Sequence, residues 1–361
     1  MTSRVDAVRS VLQSKKLDGI LISSPENRRY LSGFSGSSGY LLVTANDAVL
    51  ATDFRYVEQA GRESPHFRIH RIESGSQWFT TMLKETQVKR LGFEGEDVSV
   101  ATYRRLTKTL KESSLESNIK LVLTTNIVER LRTWKDQEEM ALIQRAIDIA
   151  DQAFNNIAPT IYAGETEASV AWRLEVSMRE QGAEGPSFDT IVGTGPNGAL
   201  PHHRAGDQPI KEGEPIVIDM GAKYQGYCSD LTRTICLGTA DETFRQVYDI
   251  VLGAQQTAMA TVRATMTGAQ ADGLARTVIE SAGYGNNFGH SLGHGVGLAV
   301  HEYPRVGPAA DDILEEGMVF TIEPGIYLSG WGGVRIEDIV ILEQTGARTL
   351  SKAQKAEDTG A

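Results

Sequence analysis

The second half of this 361-residue chain is written twice. Lys211-Glu212-Gly213-Glu214-Pro215-Ile216-Val217-Ile218-Asp219-Met220-Gly221 aligns without gaps on Glu315-Glu316-Gly317-Met318-Val319-Phe320-Thr321-Ile322-Glu323-Pro324-Gly325, 104 positions later. Gly164-Glu165-Thr166 falls on Gly268-Ala269-Gln270 at the same offset. Asp136, which opens a long helix with Glu139 in capping-box spacing, has a counterpart at Asp241. Each copy reads as a long helix, a shorter helix and a β-hairpin. Two such units are expected to pair their sheets about a pseudo-twofold, with the helices outside. Chance similarity between Gly-bounded strands would not hold one offset for a strand and a helix start together.

The hairpins carry the chemistry. In the first copy the apolar run 215–218 ends at Asp219, a polar turn follows around Tyr224-Gln225, and Asp230 lies on the returning run. A turn centred between Tyr224 and Gln225 sets Asp219 opposite Asp230, with Cβ atoms roughly 4.5–5.5 Å apart. Like charges that close resist ionising together unless a cation sits between them. Taken alone, the stretch reads equally well as an exposed hairpin turn. The second copy supplies the other half: Glu323 ends the matching strand, and Gly333-Val334-Arg335-Ile336-Glu337-Asp338 returns to place Glu337 where Asp230 sits in the first copy. Four carboxylates then converge on one end of the sheet, and two divalent cations would offset their charge. Five of the seven histidines lie between 202 and 301, namely His202, His203, His290, His294 and His301, the last three within a Gly-rich run. An oxygen-rich set with one imidazole suits Mn, Co or Zn, and a pair of such ions about 3.5–4 Å apart is the usual two-metal hydrolase arrangement.

Residues 1 to about 130 read differently. Short apolar runs at 19–23, 39–44, 48–51, 67–72 and 119–123 alternate with amphipathic stretches at 3–15, 54–63, 76–86 and 100–111, the pattern of a separate α/β domain around a mixed sheet. Gly33-Phe34-Ser35-Gly36-Ser37-Ser38-Gly39 lacks the following Lys and the spacing of a phosphate-binding motif, so it reads as a loop between a helix and a strand. The domains expected are 1–130, 131–350 and a polar tail 351–361 that frays. A net charge of −11 argues against nucleic acid as a partner. The first 30 residues show no apolar signal segment and no window spans a membrane, so the expected address is the cytoplasm. Cys228 and Cys236, eight apart on one extended run, cannot bridge and read as buried thiols in a reducing compartment.

This constellation resembles the pita-bread metallopeptidases: methionine aminopeptidase, aminopeptidase P and prolidase. Their ligand order Asp, Asp, His, Glu, Glu is met by Asp219, Asp230, His294, Glu323 and Glu337, within Asp219-Met220-Gly221, Ser229-Asp230-Leu231-Thr232-Arg233-Thr234, Gly293-His294-Gly295-Val296-Gly297, Glu323-Pro324-Gly325 and Arg335-Ile336-Glu337-Asp338. The first domain resembles the creatinase-type domain of the Xaa-Pro branch. Asn27-Arg28-Arg29-Tyr30-Leu31-Ser32-Gly33 and Thr52-Asp53-Phe54-Arg55-Tyr56 look most like aminopeptidase P. Ala199-Leu200-Pro201-His202 and His301-Glu302-Tyr303-Pro304-Arg305 fit aminopeptidase P or prolidase.

The resemblance implies a dimetal hydrolase, with Mn first and Co or Zn as alternatives, that opens the bond before a proline in second position. It implies an Xaa-Pro aminopeptidase first. The alternatives are an Xaa-Pro dipeptidase restricted to dipeptides and, in another class, a non-catalytic binding module. It assigns proton transfer to Glu323, oxyanion support to His301, pocket-lining roles to His202 and His290, the carboxylate shell to Arg335 and a dipeptide's C-terminal carboxylate to Arg305. It also implies a homodimer.

Overall fold

The computed structural model describes residues 4–84, 86–113, 115 and 118–355, and the chain divides into two compact units, Met1–Arg132 and Thr133–Ala361. In the first unit β1 (Gly19–Ile22), β2 (Tyr40–Thr44), β3 (Ala48–Asp53), β4 (Arg68–Ile72), β5 (Arg90–Glu94) and β6 (Lys120–Thr124) form a mixed sheet in the order β4-β3-β2-β1-β5-β6. β1–β2 and β2–β3 are antiparallel and the other three pairings parallel. Leu21, Leu42, Val49, Phe79, Met82, Leu91 and Leu106 interlock in its core, as strands of near-continuous apolar residues require.

Two short helices, Pro25–Ser32 and Ile127–Leu131, lie outside the helices read from periodicity, because neither is long enough to show a period. The first is specified by its ends: Ser24 caps it, Pro25 fills its first turn, and Gly33 at φ 78° closes it. The Gly/Ser run is the loop from this helix to β2. Its Gly36 and Gly39 carbonyls accept hydrogen bonds from the buried Arg28 guanidinium. A phosphate cradle would need N–H groups facing the anion, so this loop is built with the opposite polarity.

The second unit repeats helix, helix and sheet. Asp136 caps Gln137–Ile157 in a full capping box with Glu139, and Asp241 caps Glu242–Thr261. The shorter helices, Glu167–Glu180 and Gly268–Ser281, are capped by Thr166 and Thr267. Gly164 therefore precedes its helix whereas Gly268 lies inside the other, and the expected match of these glycines does not hold. The loops before the two helices differ in length while the strands keep their spacing. Pro215–Met220 runs between Ile191–Thr194 and Leu231–Cys236, and Val319–Ile322 between Gly293–Gly295 and Asp338–Glu343. Thr234 Oγ1 donates to Arg335 O and accepts from Arg335 N, and Glu337 N donates to Thr232 O, so the two hairpins are stitched edge to edge. Apolar clusters centred on Ile149, Leu174 and Ile218, and on Val251, Ile279 and Phe320, lie in the two halves. Cys228 and Cys236 are free thiols. No helix among the described residues is long and apolar enough to cross a membrane.

The tail departs from expectation. Residues 356–361 lie outside the described residues, but 351–355 are docked and do not fray. Lys352 N donates to Asp151 Oδ2 at 2.6 Å, Gln354 N to Asn155 Oδ1 at 3.0 Å, and Arg233 Nη2 to Ala353 O at 2.9 Å. Lys355 Nζ reaches Asp338 Oδ2 at 2.9 Å. Composition marks this stretch as polar, and its partners, among them the buried Asp151, Arg233 and Asp338, are brought together only by folding.

Burial pushes the Asp151 carboxyl up to about 6, against the opposing hydrogen bond from Lys352 N. The folded state thus holds this proton at a pH where the unfolded chain, near 3.9, has lost it. The stability contributed is present below about pH 4 and lost as pH rises through 6. Urea unfolding of chelator-treated protein should show wild type losing up to about 3 kcal/mol between pH 4 and 6.5 relative to Asp151→Asn. Parallel pH profiles would show that Asp151 titrates normally.

Candidate metal centre

The first hairpin turns one residue later than its sequence suggested. Gln225 and Gly226 both take positive φ, 44° and 81°, between Tyr224 and Tyr227, as a two-residue loop of type I′ does. Register therefore pairs Asp219 with Thr232, and Met220 with Leu231, so Asp230 is not directly opposite Asp219 but two residues further toward the turn. The second hairpin keeps one register on both sides of a break, Ile322 with Asp338 and Gly325 with Arg335, which sets Glu323 opposite Glu337. Glu337 thus holds the ladder position of Thr232, not that of Asp230. The two residues meet: Thr232 Oγ1 donates to Glu337 Oε2 at 2.7 Å.

Despite these shifts, Asp219, Asp230, His294, Glu323 and Glu337 line one cavity of about 510 Å³, together with His202, His290, His301 and Arg335. His294 is held on both sides. Its N–H donates to Thr321 Oγ1 at 3.1 Å, and a Cβ on the preceding Gly293 would run into Thr321 O, so only glycine lets these strands approach. Its Nδ1 lies 3.1 Å from Gly295 O and donates to it, which leaves Nε2 3.3 Å from Glu323 Oε1 and 3.6 Å from Asp230 Oδ2. Ligand atoms of Asp230, His294 and Glu337 all fall within 4.8 Å of one another.

The electrostatics ask for a cation. Burial, then the neighbouring carboxylates, drive Asp230 and Glu337 well above the ordinary carboxylate range. Asp219 is raised by the same burial, and Arg335 opposes the shift. Burial also acts on Glu323, but the His294 ring beside it outweighs that and lowers its pKa. His294 shifts upward, since Glu323 outweighs the burial that opposes its charge. Asp219 Oδ1 and Glu337 Oε1 are buried without a hydrogen-bond partner among the described residues. An unmet buried acceptor costs about 1–3 kcal/mol, more when charged. Divalent cations answer both the orphaned oxygens and the repulsion. Four carboxylates and one imidazole nitrogen fit a hard or borderline ion.

Three supporting groups, Thr232, Tyr327 and Thr321, escaped the sequence reading. Arg335 spends all three guanidinium nitrogens: Nη2 on Asp219 Oδ2 at 2.6 Å, Nε on Thr232 Oγ1 at 3.0 Å and Nη1 on the Tyr327 hydroxyl at 2.8 Å. Tyr327 OH in turn meets His290 Nε2 at 2.9 Å, while His290 Nδ1 faces Ser291 O at 2.8 Å. Both ring nitrogens of His290 are thus committed, and burial lowers its pKa. Glu323 Oε1 accepts from Thr321 Oγ1 at 3.0 Å. Thr232 and Thr321 lie within the duplicated and motif stretches, but nothing local marks a threonine on a strand as a carboxylate's partner.

His301 lies against His294, ring centroids 4.2 Å apart, and burial lowers its pKa. Arg305 is the exception among the expected site residues. It is exposed, its guanidinium 5.7 Å from the Tyr303 ring on its own strand, and it is not among the residues lining the cavity.

Comparison with known proteins follows the same two units. Residues 141–344 match metallopeptidase family M24, and residues 4–134 match the creatinase/prolidase N-terminal domain. The chain is 38% identical over 358 residues to the Xaa-Pro dipeptidase of Pyrococcus furiosus, covering 98% of this chain and 99% of that protein. Among solved structures, the Xaa-Pro dipeptidase from Bacillus anthracis superposes with a TM-score of 0.92 at 38% identity over 98% of both chains. The X-Pro aminopeptidase from Thermotoga maritima MSB8 does so at 0.87 and 38%, over 98% of this chain and 99% of that one.

Titration calorimetry with Mn2+ should show Asp230→Ala losing high-affinity binding, Thr232→Val weakening it about 10–100-fold and Arg305→Ala leaving it unchanged. Undiminished binding by Asp230→Ala would remove that residue from the centre.

Proposed function

The chain belongs to metallopeptidase family M24, and from that premise we propose that it is an Xaa-Pro dipeptidase. The observation that carries the hydrolase reading is the pair of orphaned carboxylate oxygens, on Asp219 and Glu337, within a cluster of four acids and His294. Sequence motifs in the first unit favoured the aminopeptidase. The relatives weigh the other way: dipeptidases of Pyrococcus furiosus and Bacillus anthracis resemble the chain along nearly its whole length.

Asp219, Asp230, His294, Glu323 and Glu337 would hold two divalent ions, manganese in our assignment. Such ions supply Lewis acidity and a readily deprotonated water at the carbonyl before proline. The remaining tasks fall to the protein. Glu323, whose Oε1 lies 3.3 Å from His294 Nε2 at the cavity, is placed to accept the water's proton and return it to the proline nitrogen, which as a tertiary amide must be protonated to leave. His301, beside His294 at the cavity wall, is placed to donate to the developing oxyanion. His290 is held neutral by burial, with both nitrogens engaged, so it shapes the pocket and takes no part in proton transfer. Arg335 fixes Asp219, and Phe188, Ile191 and Pro201 line the cavity as an apolar wall suited to a proline ring. We take the working form to be a homodimer, as the resemblance implies, and its address to be the cytoplasm.

Manganese-loaded protein should hydrolyse Ala-Pro and leave Ala-Pro-Ala essentially uncut, and a chelator should abolish turnover until metal is restored. Faster release of alanine from the tripeptide would instead establish the aminopeptidase. Turnover of neither substrate would sink both.

A further inference from the structure

A proline follows Glu323, and it removes a hydrogen bond from the metal-bearing hairpin. Ile322 pairs with Asp338 and Gly325 with Arg335, so one register sets Pro324 opposite Ile336. Ile336 N donates to Pro324 O at 3.4 Å. The return bond of such a pair cannot form, because proline carries no N–H. Ile336 O is left without a ladder donor at a wholly buried residue, immediately before Glu337. A buried carbonyl in that position needs another partner.

The partner comes from the long helix Glu242–Thr261. Gln255 on this helix is wholly buried, and its Nε2 lies 3.1 Å from Ile336 O, 3.2 Å from Ile322 O and 3.1 Å from Asp338 Oδ2. Its Oε1 accepts from Lys355 Nζ at 2.9 Å. Three acceptors on one side and an ammonium on the other permit a single orientation of the amide. Ile322 and Ile336 directly precede Glu323 and Glu337, which face each other across the hairpin. One amide thus grips the peptide in front of each acid. Gln255 does not line the cavity, so it acts on the acids through the backbone.

The first copy has no such gap. At the strand offset of 104, Met220 stands where Pro324 does, and Asp151 where Gln255 does. Met220 keeps its N–H and pairs with Leu231 at the end of an unbroken ladder that begins at Pro215 and Cys236. Asp151 serves the tail instead, accepting from Lys352 N. The amide donor therefore occurs in the copy whose ladder lacks one.

We propose that Gln255 is a positioning residue of the metal centre, replacing the ladder bond that Pro324 deletes and thereby setting the spacing of Glu323 and Glu337. The proposal rests on the metal-centre reading and deepens it. Without the amide, Ile336 O gains a donor only if its strand shifts, and Glu337 moves with that strand.

Titration calorimetry with Mn2+ tests this on wild type and Gln255→Met, which keeps the side-chain length and removes the donor. Affinity should fall about 10–100-fold, and the visible absorption of the Co2+-loaded protein should change. Asp151→Asn, a buried change at the counterpart position, should bind Mn2+ within about twofold of wild type. Pro324→Ala restores an N–H opposite Ile336, so adding Gln255→Met in that background should cost less than about threefold. Unchanged affinity in Gln255→Met, an equal loss in Asp151→Asn, or the full loss persisting beside Pro324→Ala would each overturn the assignment. Should Gln255→Met not fold, the double variant must fold and bind Mn2+ for the proposal to stand. If wild type itself binds no Mn2+, the metal-centre reading fails and the proposal with it.

Discussion

Four carboxylates that cannot all be charged in one buried place set the terms for this protein. Asp219, Asp230, Glu323 and Glu337 meet at a cavity floor where burial and mutual repulsion oppose ionisation, and two of their oxygens have nothing to bond. A fold bears such a cost only where a cation returns it. The groups around them follow from that constraint. Arg335 steadies the one acid whose ladder partner is a threonine, Thr232 ties one half of the sheet to the acid of the other, and His294 has its ring oriented by a backbone carbonyl so that Nε2 faces inward.

The helices do comparable work in the two halves. Glu167, on the first short helix, pins the loop that carries His202. Asp272, on the second, accepts from Leu292 N and, through Arg276, holds the carbonyls of Phe288 and His290. Both histidine-bearing loops are thus moored by a buried acid of the second helix in their own copy. Floor and walls of the site come from the same repeated plan, a helix acid for each wall loop and strand-end acids for the floor. Behind the floor, Arg233 bonds the Glu337 carbonyl, the Asp338 carboxylate and the tail at Ala353. The C-terminal residues thereby brace the strand from which Glu337 projects.

Pattern reading failed where one residue of register matters. Gln225-Gly226 is a two-residue hairpin signal, and centring the turn on the neighbouring Tyr224-Gln225 pair displaces the expected partner of Asp219 by two positions. Because the side-chain period along a strand is two, a two-residue error leaves Asp230 on the same face. The carboxylates therefore converge even though their pairings were misassigned. The same tolerance protects Glu337. The shorter helices show the converse, since their start depends on caps, and Thr166 and Thr267 do not share the spacing of the strands.

By itself the sequence determined the duplication, the α/β unit ahead of it and the five residue types suited to a metal, because these are carried by periodicity, composition and local motif. Only the tertiary structure decided which acid lies opposite which, that Tyr327 and Thr232 belong to the site, that Arg305 stays outside it, and that residues 351–355 dock. Each of those depends on contacts between residues distant in the chain, often about a hundred apart across the two copies, and no local pattern records which of two equivalent polar side chains will meet a given buried charge.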